Sequence, residues 1–144
     1  MSAVKGVNKT IQDAVTPATL LAPEVIGSKE HVIYDEYEAA GLEAASTITL
    51  PEVPLGAMIT DWIIDHDALG SSVTLKFGTV ASDAVFMAAA ASASAGKKYY
   101  QSNGVAASLG YRCDSATKCQ PVITTAGAAA TGTIKVMIKY TTKN

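Results

Sequence analysis

Residues 131–142 read TGTIKVMIKYTT, and hydrophobic and polar side chains alternate along the second half of this stretch. Successive side chains of a β-strand point to opposite faces, so this alternation predicts a strand with one buried face. The side chains predicted to point into a core are Ile134, Val136, Ile138 and Tyr140. Those predicted to point outward are Thr133, Lys135, Met137, Lys139 and Thr141. The stretch therefore indicates a half-buried strand of an antiparallel sheet.

Short β segments separated by turn residues also fill the chain upstream, from residue 30 onward. Strands are predicted over residues 31–38, 45–50, 57–65, 72–78, 97–101, 106–113 and 119–126. Asn103-Gly104 is expected to form a hairpin turn between residues 97–101 and 106–113. Pro121 is expected to put its strand at a sheet edge or to delay its start. In the Ala-rich residues 83–96 we predict a strand or tight helical turn at Val85 and Phe86, then a loop.

Residues 57–65 contain the only tryptophan. Strict alternation places Met58, Trp62 and Ile64 on one face of this strand. It places Ile59, Asp61, Ile63 and Asp65 on the other face. Residues 72–78 alternate in the same way, with Val73, Leu75 and Phe77 on one face.

About eight strands and no long helix predict an all-β protein, with a single antiparallel β-sandwich or jelly-roll domain over residues 30–144. The chain has 144 residues, 49% of them hydrophobic and 17% charged. This length and composition suffice for one buried core. No internal repeat indicates a propeller or a solenoid.

Residues 1–29 differ from the rest and are predicted to form an extended N-terminal arm. Pro17 and Pro23 argue against a helix there. The arm carries four large apolar side chains: Leu20, Leu21, Val25 and Ile26. Burying each is worth roughly 1.5–3 kcal/mol, so the arm is expected to pack on its own domain or to bind another subunit. These four residues are the predicted partner-binding residues.

The charges are unevenly distributed along the chain. Residues 1–67 contain 11 of the 13 acidic side chains, and residues 68–144 contain 8 of the 11 basic ones. One interpretation is that strands of the two halves pair, so that opposite charges face each other across a sheet. The other is that an acidic patch meets the basic patch of a neighbouring molecule, which would orient an assembly.

The sequence contains little that indicates chemistry. Asp61, Asp65, His66 and Asp67 lie close together in the sequence. Asp61 and Asp65 share a strand face and could hold a divalent cation with Asp67, but a solvated strand face that ends in a turn explains the cluster better. His31 is interpreted as a polar strand position. The run from Lys97 to Tyr100 is interpreted as a strand edge rather than a glycan or nucleic-acid contact. We predict no catalytic residue, no metal ligand and no cofactor.

Cys113 and Cys119 enclose five residues and could close a disulfide loop, although both would first be thiols in a reducing compartment. Without a nearby histidine they do not form a four-ligand zinc site. The net charge of −2 gives no reason to expect nucleic-acid binding. No apolar run approaches the roughly 20 residues of a membrane span, and residues 1–19 lack the apolar core of a signal peptide.

Several short motifs occur in an order that resembles capsid decoration (cement) proteins of tailed bacteriophages. In chain order they are Val7-Asn8-Lys9-Thr10, Tyr34-Asp35-Glu36-Tyr37, Pro54-Leu55-Gly56-Ala57, Asp67-Ala68-Leu69-Gly70, the alternating residues 72–78, and the strand from Ala130 to Val136. The resemblance covers nearly the whole chain. Cys113 and Cys119 depart from it, because no cysteines are expected in that family.

The resemblance implies a non-enzymatic jelly-roll protein that forms homotrimers on the outer surface of a phage capsid. Such trimers bridge and stabilise major capsid protein subunits, and the N-terminal arm contributes to attachment. The protein would be assembled in the host cytoplasm and end in the virion. Two other functions remain open: a carbohydrate- or receptor-binding module of a phage tail or fibre, and an enzyme on a β scaffold that uses the Asp61–Asp67 cluster. A glycan site would need exposed aromatic side chains, for which the candidates are Trp62, Tyr99, Tyr100 and Tyr111.

Overall fold

The structure is a computed structural model that describes residues 29–108, 110–113 and 119–142. These residues contain nine strands, one short helix and one 3₁₀ turn. The elements are β1 (Glu30–Leu42), β2 (Thr47–Thr49), β3 (Met58–His66), β4 (Thr74–Thr79), β5 (Met87–Ala91), β6 (Gly96–Tyr99), α1 (Tyr100–Asn103), the 3₁₀ turn (Ala106–Ser108), β7 (Tyr111–Arg112), β8 (Pro121–Ala126) and β9 (Ala130–Thr141). No helix among these residues is long and apolar enough to cross a membrane.

The strands form two antiparallel sheets. The five-stranded sheet has the order β1-β9-β3-β6, and β7 pairs with β3 beyond the end of β6. The four-stranded sheet has the order β2-β8-β4-β5. The alternating strands bury their apolar faces between these sheets, which gives a β-sandwich.

The pairing of the strands is nested, as in a jelly roll. The innermost pair is β4 with β5. Outside it, β3 pairs with β6, then β2 with β8, and finally β1 with β9, so that each pair encloses the previous one in the sequence. The four pairs form one long antiparallel ribbon, which folds over so that β9 also pairs with β3 and β8 with β4. Two Greek keys joined in this way are the jelly-roll topology. The predicted all-β sandwich or jelly-roll domain is confirmed.

Strand β9 behaves as its alternation predicts. Ile134, Val136 and Ile138 are 1%, 3% and 0% exposed, and Tyr140 is half-buried against the His31 ring at 5.3 Å. The same core cluster contains the buried Leu75 and Phe77 of β4 and Ile123 of β8 from the other sheet. Because most core side chains are aliphatic and of moderate size, the few aromatic rings carry a large share of the contact between the sheets.

A chain of aromatic rings crosses the core. Trp62 on β3 meets Phe77 on β4 edge to face, with ring centroids 5.2 Å apart. Phe77 lies 5.0 Å from Phe86, which lies 5.0 Å from Tyr111 on β7. Since β3 and β4 belong to different sheets, the contact between Trp62 and Phe77 joins the two layers directly.

The predicted faces of β3 are wrong at the start of the strand. Ile59 is buried at 1% exposure and Met58 is only half-buried, the reverse of the prediction. The pairing with β9 shifts between Ile59 and Asp61, so Thr60 is an extra residue on the strand. A β-bulge of this kind changes which side chains face the core. Beyond it, Trp62 and Ile64 are buried as predicted.

The predicted hairpin at Asn103-Gly104 is also wrong. Asn103 is the last residue of α1, and Gly104 has an extended conformation (φ −69°, ψ 143°). The Gly104 N–H donates to the carbonyl oxygen of Tyr100 at 2.9 Å. A Cβ on Gly104 would lie 2.5 Å from that oxygen, so close packing, not a turn type, requires glycine. Of residues 106–113, only Tyr111–Arg112 form a strand.

Two further predictions about strands need correction. The residues after Phe86 that were expected to be a loop contain β5, which pairs with β4 through contacts such as Thr74 with Ala91. β8 lies between β2 and β4 rather than at an edge. The alternative of a later start agrees better, because the strand begins at Pro121 itself rather than at residue 119, and a first residue tolerates the missing N–H. In both cases the pairing partner outweighs the local preference of the residue.

Replacing Phe77 by alanine should destabilise the fold strongly, because it removes the ring that contacts both Trp62 and Phe86. We expect Phe77→Ala to lower the free energy of unfolding by about 3–5 kcal/mol in urea titrations. Val80→Ala is the control: Val80 is 69% exposed, so its loss should cost less than about 0.5 kcal/mol. Equal effects of the two substitutions would contradict the described core.

Candidate protein-binding surface

The outer face of the five-stranded sheet carries a regular pattern of side chains. Because Ile134, Val136 and Ile138 point into the core, the residues between them on β9 point outward. The register then aligns outward side chains of β1, β9, β3 and β6 in rows that run across the strands. Three such rows lie next to each other, each two residues further along β9.

The middle row, here called the apolar row, consists of Tyr34, Met137, Ile63 and Tyr99. Met137 pairs with both Tyr34 and Ile63, and Ile63 pairs with Tyr99. Tyr34 is 58% and Tyr99 41% exposed, whereas Met137 and Ile63 are half-buried by their neighbours. The row is therefore a solvent-accessible apolar strip that extends across four strands.

The row on one side, here called the long charged row, consists of Glu36, Lys135, Asp65 and Lys97. In the strand register, Lys135 stands opposite Glu36 on one side and Asp65 on the other, and Asp65 stands opposite Lys97. The signs alternate across the sheet, from negative on β1 to positive on β6. Within the described part of the chain, no ion pair joins Lys135, Asp65 or Lys97 to another side chain.

The row on the other side, the short charged row, consists of Val32, Lys139 and Asp61. Lys139 also forms an ion pair with Glu30 at 3.6 Å. In both charged rows an acid from the first half of the chain stands beside a lysine from the second half. The prediction that strands of the two halves pair with opposite charges facing each other is confirmed.

The surface between the apolar row and the long charged row is slightly hollow. A depression of about 180 Å³ is lined by Tyr34, Ile63, Asp65, Lys135, Val136 and Met137. It is apolar at its base and charged at one rim. An apolar strip with a polar border is the usual organisation of a protein interface.

Tyr34 and Glu36 are linked on this face. The Tyr34 hydroxyl donates a hydrogen bond to Glu36 Oε2 at 3.0 Å. This hydrogen bond is the largest cause that raises the pKa of Tyr34 above its ordinary value of 10.0, followed by burial and the charge of Glu36. Ionising the phenol would break the hydrogen bond and bring two negative oxygens together.

Strand β1 is the most exposed element of the sheet. It is an edge strand of 13 residues, and only Ala39 on it is buried. A long edge with open backbone hydrogen-bonding groups can pair with another chain. β1 also begins at Glu30, directly after the predicted arm. Its four acidic side chains, Glu30, Asp35, Glu36 and Glu38, blunt this edge against unspecific pairing.

The structure divides the predicted Asp/His cluster between the two faces of β3. Asp61 and Asp65 point outward into the charged rows. His66 is 3% exposed, and its Nδ1 donates to the carbonyl oxygen of Asp67 at 2.7 Å. Asp67 Oδ2 accepts from the N–H of Thr133 at 2.9 Å. Among the described residues, no group of three or more His, Cys, Asp or Glu could hold a metal ion.

The aromatic side chains proposed for a glycan site do not form one platform. Trp62 is 1% exposed and belongs to the core. Tyr100 and Tyr111 are partly buried against that core. Only Tyr99 is exposed, so the predicted set is wrong as a joint binding site.

The remaining predicted site residues lie elsewhere. Leu20, Leu21, Val25 and Ile26 of the arm are outside the described residues. Cys113 and Cys119 are 3% and 5% exposed and are joined by a disulfide with Cα atoms 5.3 Å apart. The pair ties the end of β7 to the segment before β8, beside the bridge between Val53 and Cys119.

Solved structures contain the same fold, although no family model and no curated protein matches the chain. A chain of the cyanophage Pam1 capsid asymmetric unit superposes with a TM-score of 0.68 at 19% identity, over 99% of both chains. A chain of the capsid of Ralstonia phage GP4 superposes with a TM-score of 0.64 at 16% identity, over 79% of this chain and 84% of that one. The fold is shared.

Sequence reasoning found the outward residues of β9 but not the rows. Alternation tells which face a residue occupies, yet only the register tells which residue of β1 or β3 stands beside it. The bulge at Thr60 shifts that register by one residue for the whole start of β3. The sequence feature that indicated the charged rows is the uneven distribution of acidic and basic residues between the two halves of the chain.

Glu36→Gln should lower the pKa of Tyr34 toward its ordinary value, because it removes the carboxylate that accepts the Tyr34 hydrogen bond and repels the phenolate. A pH titration of the tyrosine ring carbons by NMR measures this change. Glu38→Gln is the matched control, since the Glu38 carboxylate accepts a hydrogen bond from Thr133 instead. A pKa of Tyr34 that does not respond to Glu36→Gln would contradict the described contact.

Proposed function

We propose that this chain is a structural, non-enzymatic virion protein that binds the outer surface of a phage capsid. The observation that supports this most is the likeness to the cyanophage Pam1 capsid chain, which spans 99% of both chains. A second capsid structure, of Ralstonia phage GP4, contains the same fold. The order of sequence motifs leads to the same class of protein, independently of the structure.

The arm is the proposed attachment segment. Leu20, Leu21, Val25 and Ile26 lie within seven residues of one another. Burying each side chain on a capsid subunit contributes roughly 1.5–3 kcal/mol. Part of this is offset by the conformational entropy that an extended segment loses on binding. Because the arm continues into the exposed edge strand β1, the two form one unbroken contact stretch.

A homotrimer is the proposed form on the capsid. Three arms on one trimer reach neighbouring major capsid protein subunits, so the trimer bridges the joint between them. Once one arm is bound, the others bind at a high effective concentration, which raises the overall affinity without any strong single site. Bridging of this kind stabilises a shell against the pressure of packaged DNA. The protein would reach the virion by assembly in the host cytoplasm.

Deleting the arm, residues 1–29, should abolish binding to capsids, and the β domain is expected to fold because every described strand begins at Glu30 or later. Expanded heads of the encoding phage, lacking their own copies of the chain, are mixed with the protein and sedimented. The intact chain should saturate the heads and the truncated chain should stay in the supernatant. Far-UV circular dichroism and the melting temperature check the fold.

Full-length variants separate the apolar contribution from the length of the arm. Replacing Leu20, Leu21, Val25 and Ile26 together by serine should reduce sedimentation as the deletion does. The matched control replaces Thr10, Gln12, Thr16 and Thr19 by alanine and should bind normally. If the truncated chain saturates heads like the intact one, the attachment role of the arm is wrong.

A further inference from the structure

We infer that the outer face of the five-stranded sheet binds the same face of a second copy of this chain, about a two-fold axis that runs along the strands. The contact is a property of the rows described above and does not depend on binding to a capsid. It adds an interaction surface, and a defined partner, to the proposed arm.

The geometry of the contact follows from the strand order β1-β9-β3-β6. A half-turn about an axis between β9 and β3, parallel to the strands, turns the face over and reverses this order. β9 of one copy then lies over β3 of the other, and β1 lies over β6. The three rows keep their positions along the axis, so each row meets its own counterpart, as in any isologous interface.

The charges are complementary in this arrangement. In the long charged row, Lys135 meets Asp65 of the second copy and Glu36 meets Lys97. In the short charged row, Lys139 meets Asp61 of the second copy. Every charge in the two charged rows therefore faces one of the opposite sign. This follows because the signs alternate along each row and the second copy presents the row in reversed order. Electrostatic complementarity of this kind fixes the orientation of a contact.

The apolar row supplies the centre of the contact. Met137 meets Ile63 of the second copy, and Tyr34 meets Tyr99. The depression of about 180 Å³ beside Met137 offers room for an apolar side chain from the opposite face. Tyr34 and Val32, at 58% and 54% exposure, would be covered at one side of the strip.

Other arrangements of the same two faces are unfavourable. A half-turn about an axis across the strands would place the long charged row over the short one. Lys135 would then face Lys139, and Asp65 would face Asp61, so like charges would meet at the centre. A partner with charge of one sign, such as nucleic acid, would be repelled by half of the charged positions. The observed pattern of charges fits a second copy, turned about an axis along the strands, better than it fits the other half-turn or a partner of uniform charge.

Twist limits which pairs carry the contact. Two twisted sheets pack face to face with their strands about 30° apart, so pairs far from the axis separate. The pairs on β9 and β3 lie next to the axis and stay in contact. Lys135 with Asp65, Lys139 with Asp61 and Met137 with Ile63 are therefore the decisive pairs.

The two-fold contact joins copies in even numbers. Two chains would form a dimer, and two of the proposed trimers would form a hexamer. Analytical ultracentrifugation of the purified chain over a wide range of concentration should show such species. A chain that remains monomeric, or forms only trimers, would overturn the inference while leaving capsid binding untouched.

Two single charge reversals test the contact directly. Positions 65 and 135 of one copy face positions 135 and 65 of the other. In Asp65→Lys all four of these positions are lysine, and in Lys135→Asp all four are aspartate. Two like-charge contacts per interface oppose association, so each variant alone should self-associate at least about 100-fold more weakly. An equimolar mixture restores both opposite-charge contacts and should return the affinity to within about 10-fold of the unsubstituted chain.

The mixture separates the proposed contact from effects within one chain. Asp65 and Lys135 are neighbours in the same sheet, so each reversal also creates a like-charge pair inside its own molecule. Mixing cannot repair that pair. The matched control is Asp83→Lys, which breaks the ion pair with Lys76 (3.3 Å) elsewhere on the molecule and should not change self-association.

A third variant covers the case in which a charge reversal unfolds the chain. Met137→Lys puts a charge in the apolar row without touching the core, and it should also weaken self-association at least about 10-fold. Unchanged association of the variants, or a mixture that stays as weakly associated as each variant alone, would refute the two-fold contact.

Discussion

The contact between Trp62 and Phe77 holds the two sheets together, and the rest of the molecule depends on it. Trp62 belongs to the five-stranded sheet and Phe77 to the four-stranded sheet, and their rings meet at 5.2 Å. Around them the core consists mainly of aliphatic side chains, so few other contacts are as large. Phe86 and Tyr111 extend the same stack to β7. The inward side chains of the strands contribute to this core, and the outward side chains of the five-stranded sheet form the rows.

The same backbone geometry that builds the core also builds the surface. On β9, Ile134, Val136 and Ile138 face inward, and the residues between them face outward. The register of β9 with β1 and β3 then fixes the apolar row and both charged rows. A slip of one residue in this register would turn the core side chains toward solvent and would also break up the rows. Fold and candidate interface therefore rest on one register.

The sequence predicted the parts of this structure that depend on alternation. β9, the buried residues of β4 and the all-β class follow from side-chain periodicity, which is a local property. The bulge at Thr60, the helix that ends at Asn103 and the strand β5 depend on distant partners. The rows were beyond prediction for the same reason, since β1 and β9 pair across about a hundred residues of chain. Local sequence contains no record of such pairings.

The proposed function joins these surfaces into one protein that works by contact. In this proposal the arm and the edge strand contact a capsid, and the outer face of the five-stranded sheet contacts a second copy. Chemical cross-linking and mass spectrometry of intact, purified particles of the encoding phage test the capsid claim most directly. The account predicts many copies of the chain per particle, with cross-links from Lys5, Lys9 or Lys29 to the major capsid protein. Particles that lack the chain, or copies that form no cross-link to the shell, would contradict it.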